Sequence, residues 1–511
     1  MLKPLTRAES TRYTQTSRHA EVMTFIAALA ARNDPRLHVS EFGASPEGRA
    51  LPLLVLSSAG VDTPAKARAL GRPVVLIING IHAGEVEGKE ASLMLVRDLL
   101  DGHDAGLLEH LTLVVVPLFN PDGNDRIDPG NRRLNLPKLE GQLGPVSGVG
   151  TRVNAAGINL NRDYMRQESR EMQLLQVRVC QPWAAELTID CHATNGSVHR
   201  YALTYDTPHT VMSGRAEPVA WMRQQLLPEV TRRMRAHTGL ETFFYGNFLS
   251  DEGGHKSSEC WTTYTHHPRF GSNYRGLTSR CDLLLETYAY IPFEQRVYTT
   301  YQFVRETLHF VAEHAAELCA VVASSTQPRR EIAVRYELHD EPDAVPILTR
   351  EPRVLDGKPA IVELPHRCRF VGSEVIVRPR AYLIPPHLAA FLRGHGLAIR
   401  ELAAPVGAAL ECAVVQSCAA EGSRHILESS LGERQLHVAW HKAERKLPAG
   451  TLLVETSQPL GAIAAYLCEP RSDDGLLAAG LLSASASGQG DGTDLKPGTP
   501  FPVARVTALD D

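Results

Sequence analysis

The sequence predicts an α/β fold, a mixed sheet flanked by helices, followed by a smaller β-rich region. Three observations carry this. Residues 51–57 (LPLLVLS), 73–79 (PVVLIIN) and 111–117 (LTLVVVP) are short unbroken apolar runs bounded by Gly, Pro or Asn, the pattern of strands buried on both faces. Between the last two, EVEGKEASLMLVRDLLDG repeats its apolar positions every three or four residues and stops at Asp-Gly, so it reads as a helix crossing over the sheet. Beyond Ala320 the texture changes to segments such as EIAVRYEL, PAIVEL, SEVIVRP, QLHVAWH and GTLLVET, separated by Pro and Gly turns.

In chain order, residues 17–32 are expected to form an amphipathic helix. After the three runs come helix 168–180, strands 186–191 (ELTIDC) and 200–205 (RYALTY), helix 215–237, strand 282–287 (DLLLET) and helix 293–318. Residues 1–320 thus form one expected domain and 321–511 a second module, in which PPHLAAFLRGHG and QPLGAIAAYL are helical exceptions. The stretch SASASGQGDGTD at 483–494 is of low complexity and is expected to be a mobile loop.

A chain of 511 residues with a formal net charge of −5 and 22% charged residues has the composition of an ordinary globular protein. It lacks the basic stripe that a phosphate backbone requires, so nucleic acid is not an expected partner. No stretch approaches the length of a membrane span. The nine cysteines are odd in number and show neither zinc-ribbon spacing nor a disulfide framework, which fits a reducing, cytoplasmic location. The N-terminus places only a short apolar run after about twenty mostly polar residues, unlike a signal peptide.

Chemistry enters at IHAGEVEGKEA, where His82 and Glu85 leave a buried strand and enter a helix. Strand ends are where open α/β sheets build sites, and zinc accepts imidazole nitrogen and carboxylate oxygen. A His and a Glu three apart are a weak signal alone. At ELTIDCHATNG a second strand delivers His192, with Asp190 two positions earlier. Two imidazoles and one carboxylate leave a fourth position open, the pattern of a catalytic zinc site. Glu286, at the end of the apolar run DLLLET, is the candidate general base.

Read in order, SPEGRALPLLVL, IHAGEVEGKEA, FNPDGNDR, GINLNRDY, IDCHATNG and LLLETYAY resemble the M14 family of zinc carboxypeptidases over residues 40–300. That resemblance implies a carboxypeptidase-like mixed sheet and one Zn2+ per chain on His82, Glu85 and His192, with Glu286 as base. It implies hydrolysis of an amide bond next to a free carboxylate, on a peptide or acyl-amino-acid substrate. In NLNRDY it assigns Asn161 and Arg162 to the substrate carboxylate, which a guanidinium fork suits. The carbonyl-polarising arginine of the family is expected at Arg133, with Arg132 its rival, and the tyrosine that closes over substrate at Tyr264 or Tyr274. Gly84 stands where the family has a basic residue, and the stretch HPRFGSNYRGLTSR is closer to a bacterial branch of the family than to the digestive enzymes. Two alternatives stay open. One is a zinc amidohydrolase, such as an N-acyl amino-acid deacylase or a muropeptide amidase; the other is a binding module without catalysis. The sequence leaves oligomeric state and the role of the C-terminal module undefined.

Overall fold

The structure, a computed structural model, describes residues 3–249, 259–421, 433–481 and 496–510. The expected loop at 483–494 lies outside the described residues. A central sheet is built from β1 (Leu37–Ala44), β2 (Ala50–Leu56), β3 (Val74–Asn79), β4 (Thr112–Val116), β5 (Leu187–Thr194), β6 (Leu203–Asp206), β7 (Thr242–Phe244) and, after the short strands β8 (Asn247–Leu249) and β9 (Cys260–Thr262), β10 (Cys281–Tyr288). Its strand order is β1-β2-β4-β3-β5-β10-β6-β7. The four inner strands β4, β3, β5 and β10 run parallel, with antiparallel neighbours β2 and β6 on either side.

The apolar runs are continuous because both faces of the inner strands are covered, and alternate residues join different clusters. Val75 and Ile77 of β3, with Leu113 and Val115 of β4, pack under three helices. These contribute Val22, Phe25 and Ile26 from helix His19–Ala30, Leu95 and Leu99 from helix Glu87–Leu100, and Phe303 and Leu308 from helix Phe293–Glu313. Leu76 and Ile78, with Val114 and Val116, face the other way. Burying a large aliphatic side chain stabilises by roughly 1.5–3 kcal/mol, so this doubly covered layer dominates the stability of the sheet.

Most expected elements are present with displaced ends. The helix expected at 17–32 is His19–Ala30, and that expected at 293–318 is divided at His314 into Phe293–Glu313 and Ala315–Ser324. Helices 168–180 and 215–237 are each interrupted by a π turn, at Gln176–Cys180 and Met222–Leu226, with Pro182 and Pro228 just beyond. A proline cannot donate into the preceding turn, which loosens the hydrogen-bond ladder there.

After helix Ala315–Ser324 the chain forms a long hairpin, β11 (Glu331–Glu351) and β12 (Lys358–Val377), antiparallel and interrupted by register shifts. β12 pairs with β9, so the hairpin continues a four-stranded sheet in the order β11-β12-β9-β8. A six-stranded sheet follows, of β13 (Ala381–Ile384), β14 (Arg400–Glu401), β15 (Val406–Glu421), β16 (Glu433–Leu447), β17 (Leu452–Glu455) and β18 (Pro500–Leu509), in the order β14-β17-β13-β18-β15-β16. Helix Ala389–Gly394 falls within the first expected helical stretch, and helix Gly461–Cys468 overlaps the second and runs one residue past it. One buried apolar cluster runs from Leu76, Ile78 and Val116 of the central sheet through Tyr164, Met172 and Tyr274 to Ile332, Tyr382, Leu392 and Tyr466. The N-terminal and C-terminal regions therefore share a core. No helix among the described residues is long and apolar enough to cross a membrane.

Candidate metal centre and its surroundings

The carboxyl ends of β3, β5 and β10 lie side by side, and together they deliver four chemical groups to the same edge of the sheet. β3 ends at Asn79, the chain turns through Gly80, and His82 and Glu85 follow just ahead of helix Glu87–Leu100. His192 sits on β5, and Glu286 on β10 is its direct register partner across the parallel pair. Open parallel sheets form their crevice at this edge.

Donor atoms of His82, Glu85 and His192 lie within 4.8 Å of one another, and all three residues are buried. Glu85 bridges the two imidazoles: Oε1 is 3.2 Å from His82 Nδ1, and Oε2 is 2.9 Å from His192 Nδ1. The opposite ring nitrogens are occupied from outside. His82 Nε2 is 3.0 Å from Asn159 Oδ1, and His192 Nε2 is 3.1 Å from Asp190 Oδ1. At His82 the acceptor behind Nε2 fixes the tautomer with its proton there and turns the Nδ1 lone pair inward, as metal-binding histidines require; at His192 the Asp190 carboxylate is an ion-pair neighbour of the ring. Asp190 is itself held by Arg275 Nη2 at 2.6 Å, and Arg275 also pairs with Asp282.

The electrostatics agree with a cation site. Burial, with Arg152 nearby, pushes the His82 imidazolium down to a pKa of about 3, so the ring is neutral with a free lone pair. Burial opposes ionisation of Glu85, yet His82, Arg132 and His192 outweigh it and keep the carboxylate well below its usual range. At His192 burial is likewise overcome, by Asp190 and Glu85, which hold its proton well above the ordinary histidine range. Two buried carboxylates thus compete for positive charge at one point, and a divalent cation satisfies them there. Two nitrogen donors and one carboxylate fit zinc with an open coordination position. At Glu286 burial first, and Glu85 second, push the carboxyl pKa to about 8, against the pull of His192, Arg132 and Arg152.

Of the two rival arginines the structure brings Arg132 to the centre and leaves Arg133 exposed. Arg132 Nη1 donates to Glu85 Oε1 at 2.8 Å, and its Nε donates to Gln142 Oε1 at 2.8 Å. Arg133, the first choice from sequence, stays exposed while Arg132 makes these contacts, and Arg132 has a positive φ of 49° that turns the chain between the two. Gly84 has its explanation in the same side chain. A Cβ on Gly84 would lie 2.6 Å from Arg132 Cδ and 2.9 Å from the Gly150 carbonyl oxygen.

Arg162 and Asn161 lie in a short 3-10 turn. Arg162 places its guanidinium 3.6 Å over the Phe270 ring and donates to the Asn161 carbonyl at 2.8 Å. Asn161 Oδ1 accepts from the Gly271 amide at 2.9 Å, so the pair is tied to the segment ahead of helix Gly271–Leu277. Tyr264 packs between His209, Tyr245 and Phe270, with ring centroids 4.6, 5.8 and 5.6 Å away. Tyr274 belongs elsewhere. It is buried against Tyr164, with its hydroxyl 2.8 Å from His395 Nδ1 of the C-terminal region.

Three residues at the site have no counterpart in the sequence reading. Asn159 holds His82. Arg152 Nη1 is 3.2 Å from His82 Nδ1 and 3.6 Å from Glu85 Oε1, with its side chain 44% exposed at the mouth of the site. Tyr245 is buried, and burial followed by the charge of Glu286 raises its pKa. Asn159 stood inside a quoted motif and could have been found. Arg152 and Tyr245 lie in GVGTRVN and FFYGNF, where no spacing marks them.

Comparison with known proteins bears on this arrangement. Residues 22–183 match the family model for zinc carboxypeptidases, Peptidase_M14. That stretch contains His82, Glu85, Asn161 and Arg162 and ends before His192 and Glu286, which the geometry alone brings in. The mouse protein carboxypeptidase D is 31% identical over 159 residues, 28% of this chain and 11% of that protein. Carboxypeptidase 2 of Trichophyton equinum is 22% identical over 498 residues, 91% of this chain and 84% of that one. The chain thus spans about a tenth of the carboxypeptidase D sequence it matches. Among solved structures, a metallo-carboxypeptidase from Burkholderia cenocepacia aligns at 18% identity and a TM-score of 0.40, over 58% of this chain and 69% of that one. Bovine thrombin-activatable fibrinolysis inhibitor aligns at 15% identity and a TM-score of 0.41, over 60% of this chain and 99% of that one. In its ordered motifs and over residues 22–183 the chain is similar to the M14 zinc carboxypeptidases.

Proposed function

We propose that the protein is a zinc-dependent metallocarboxypeptidase that hydrolyses the amide bond next to a free carboxylate. The observation that supports this most directly is the convergence of His82 Nδ1, Glu85 and His192 Nδ1 on one point, with Glu286 in register beside His192. These three residues would hold the zinc, which when bound supplies Lewis-acid polarisation of water and of the scissile carbonyl. Glu286 accepts the proton of the attacking water and passes it to the leaving amine. A carboxylate in hydrogen-bond reach of the water serves both halves of that transfer, once a bound cation offsets the Glu85 charge that helps to raise its pKa. Arg152, partly exposed at the mouth and 3.6 Å from Glu85, is placed to donate to the developing oxyanion; Arg132, spent on Glu85 and Gln142, fixes the carboxylate ligand. Arg162 receives the substrate's carboxylate, and the ring of Phe270 beneath it keeps the guanidinium plane in place. Tyr264 packs on Phe270 and on Tyr245, and Tyr245 feels the charge of Glu286, so the two tyrosines connect the surroundings of anchor and base.

The reading is tested with paired peptides that differ only in a free or an amidated C-terminus. Wild type is expected to cleave the free acids and to be poor on the amides. Arg162→Ala should lower kcat/KM on free acids by roughly 100-fold or more, since stranding one member of a buried charge pair costs about 3–5 kcal/mol, and should barely affect the amides. Equal cleavage of both by wild type would instead favour a deacylase or amidase using the same metal and base. The metal assignment has its own test: His192→Ala should lose zinc by elemental analysis, and retention of one equivalent of zinc with activity would exclude that ligand.

A further inference from the structure

The segment that supports Arg162 is held from two sides, by its own domain and by the C-terminal region. It runs through Thr265, His266, His267, Pro268, Arg269 and Phe270 between β9 and helix Gly271–Leu277, and its buried polar groups are met by two consecutive carboxylates from the C-terminal region, Asp473 and Asp474. Asp474 Oδ2 accepts from the Arg269 amide at 2.6 Å, and its Oδ1 takes the Arg269 guanidinium at 3.0 Å through both Nε and Nη2. Asp473 Oδ2 is 2.7 Å from His266 Nε2, and its Oδ1 accepts from Tyr466 at 2.5 Å. All of these residues are buried, so the contacts are worth more than surface ion pairs and replace hydration that the groups have lost. The His266, His267 and Asp473 donors lie within 4.8 Å of one another, but Asp473 has both oxygens committed to protein donors, which is the pattern of a clamp.

The clamp reaches the site in two steps. Arg269, fixed at its amide and its guanidinium, accepts from the Tyr164 amide through its carbonyl at 3.4 Å and precedes Phe270, whose ring lies under Arg162. Gly271, the next residue, donates to Asn161 Oδ1. We propose that Asp474 is a positioning residue for substrate binding, acting through Arg269 and Phe270 to hold Arg162 where it meets the substrate carboxylate. The C-terminal module is on this account part of the specificity apparatus. The inference rests on the carboxypeptidase reading and assigns a role to a region that the family match does not reach.

The test is Asp474→Asn in the full-length, zinc-loaded protein, with kcat and KM measured separately on the free-acid and amidated peptides. Free-acid KM should rise by at least about tenfold, within the range that misplacing a positioning group costs, while kcat and the amide values change little. Combined with Arg162→Ala, the substitution should add almost nothing, because both act on one interaction. Asp474→Glu, which keeps the charge, should recover part of the loss. Arg269→Lys attacks the same contact from the other side and serves if the Asp474 variant does not fold. A free-acid KM within twofold of wild type, an equal effect on acid and amide, or full additivity with Arg162→Ala overturns the proposal while leaving the carboxypeptidase reading intact. Indifference of wild type to the terminal carboxylate overturns both.

Discussion

Glu286 is the residue at which burial and the proposed function meet. Its carboxyl pKa lies at about 8 against an ordinary 4.5, chiefly from burial and then from Glu85. The folded chain therefore favours the protonated form, and this group's contribution to stability is complete below 4.5 and is lost as pH rises through 8. Glu286→Gln removes that dependence. After zinc is stripped by a chelator, the variant should melt above wild type at pH 9 and level with it at pH 5; a constant difference across that range would show that Glu286 is not the group responsible. In the zinc-loaded enzyme the same substitution should lower kcat by roughly 100- to 10,000-fold, the usual contribution of a general base, with zinc content unchanged. His82, Glu85, His192 and Glu286 were legible because each follows or ends an apolar strand run, so the sheet itself aligns them. Arg152 was not, because it lies 70 residues from His82 in the chain and only the folded loop brings it back.

At the scale of elements, the site depends on how closely helix Glu87–Leu100 sits on β5. Gly88, in its first turn, leaves so little room that a Cβ would lie 2.5 Å from Cys191 Cβ and 2.8 Å from Asn79 Oδ1. Cys191 adjoins His192, and Gly88 is three residues from Glu85, so any retreat of the helix separates two ligands. Gly88→Ala should therefore lower Tm and weaken zinc retention together in a competition titration with a chromogenic chelator. Unchanged zinc affinity would mean that the ligands are placed independently of this contact. The inner strands could be read from sequence because burial on both faces makes them uniformly apolar. β1 could not: its residues are mostly half-buried, and LHVSEFGA shows neither a continuous run nor clean alternation. The β11–β12 hairpin was visible only in pieces, since register shifts near Arg335 and Asp340 break the two-residue period on which strand recognition depends.

For the whole molecule, the consequential feature is that a boundary near residue 320 divides the chain's texture but not its core. The face of the central sheet that carries Leu76, Ile78, Val114 and Val116 belongs to one buried cluster with Ile332, Val334, Tyr382, Leu392, Tyr466 and Leu467. Composition cannot reveal this, because a residue's partners across a sheet leave no trace in its neighbours along the chain. The polar contacts repeat the pattern: Ser213 Oγ donates to the Ala333 carbonyl at 2.5 Å, Gln167 Nε2 is 3.0 Å from His395 Nδ1, and Asp474 fixes Arg269. A chain ending at Pro328 keeps every proposed zinc ligand, the base and the anchor, yet leaves that apolar face and those polar groups without partners. Exposed apolar surface of this extent favours association over folding, and the penalty for each stranded buried polar group is about 1–3 kcal/mol, against a total stability of about 5–15 kcal/mol for a typical protein. The shortened chain is therefore expected to be insoluble, or to unfold without a cooperative calorimetric transition, whereas the full chain shows one transition shared by both regions. A soluble 1–328 fragment with a sharp transition and wild-type kcat/KM on free-acid peptides would establish that the C-terminal region is an appendage, and would remove the basis for its role at Arg162.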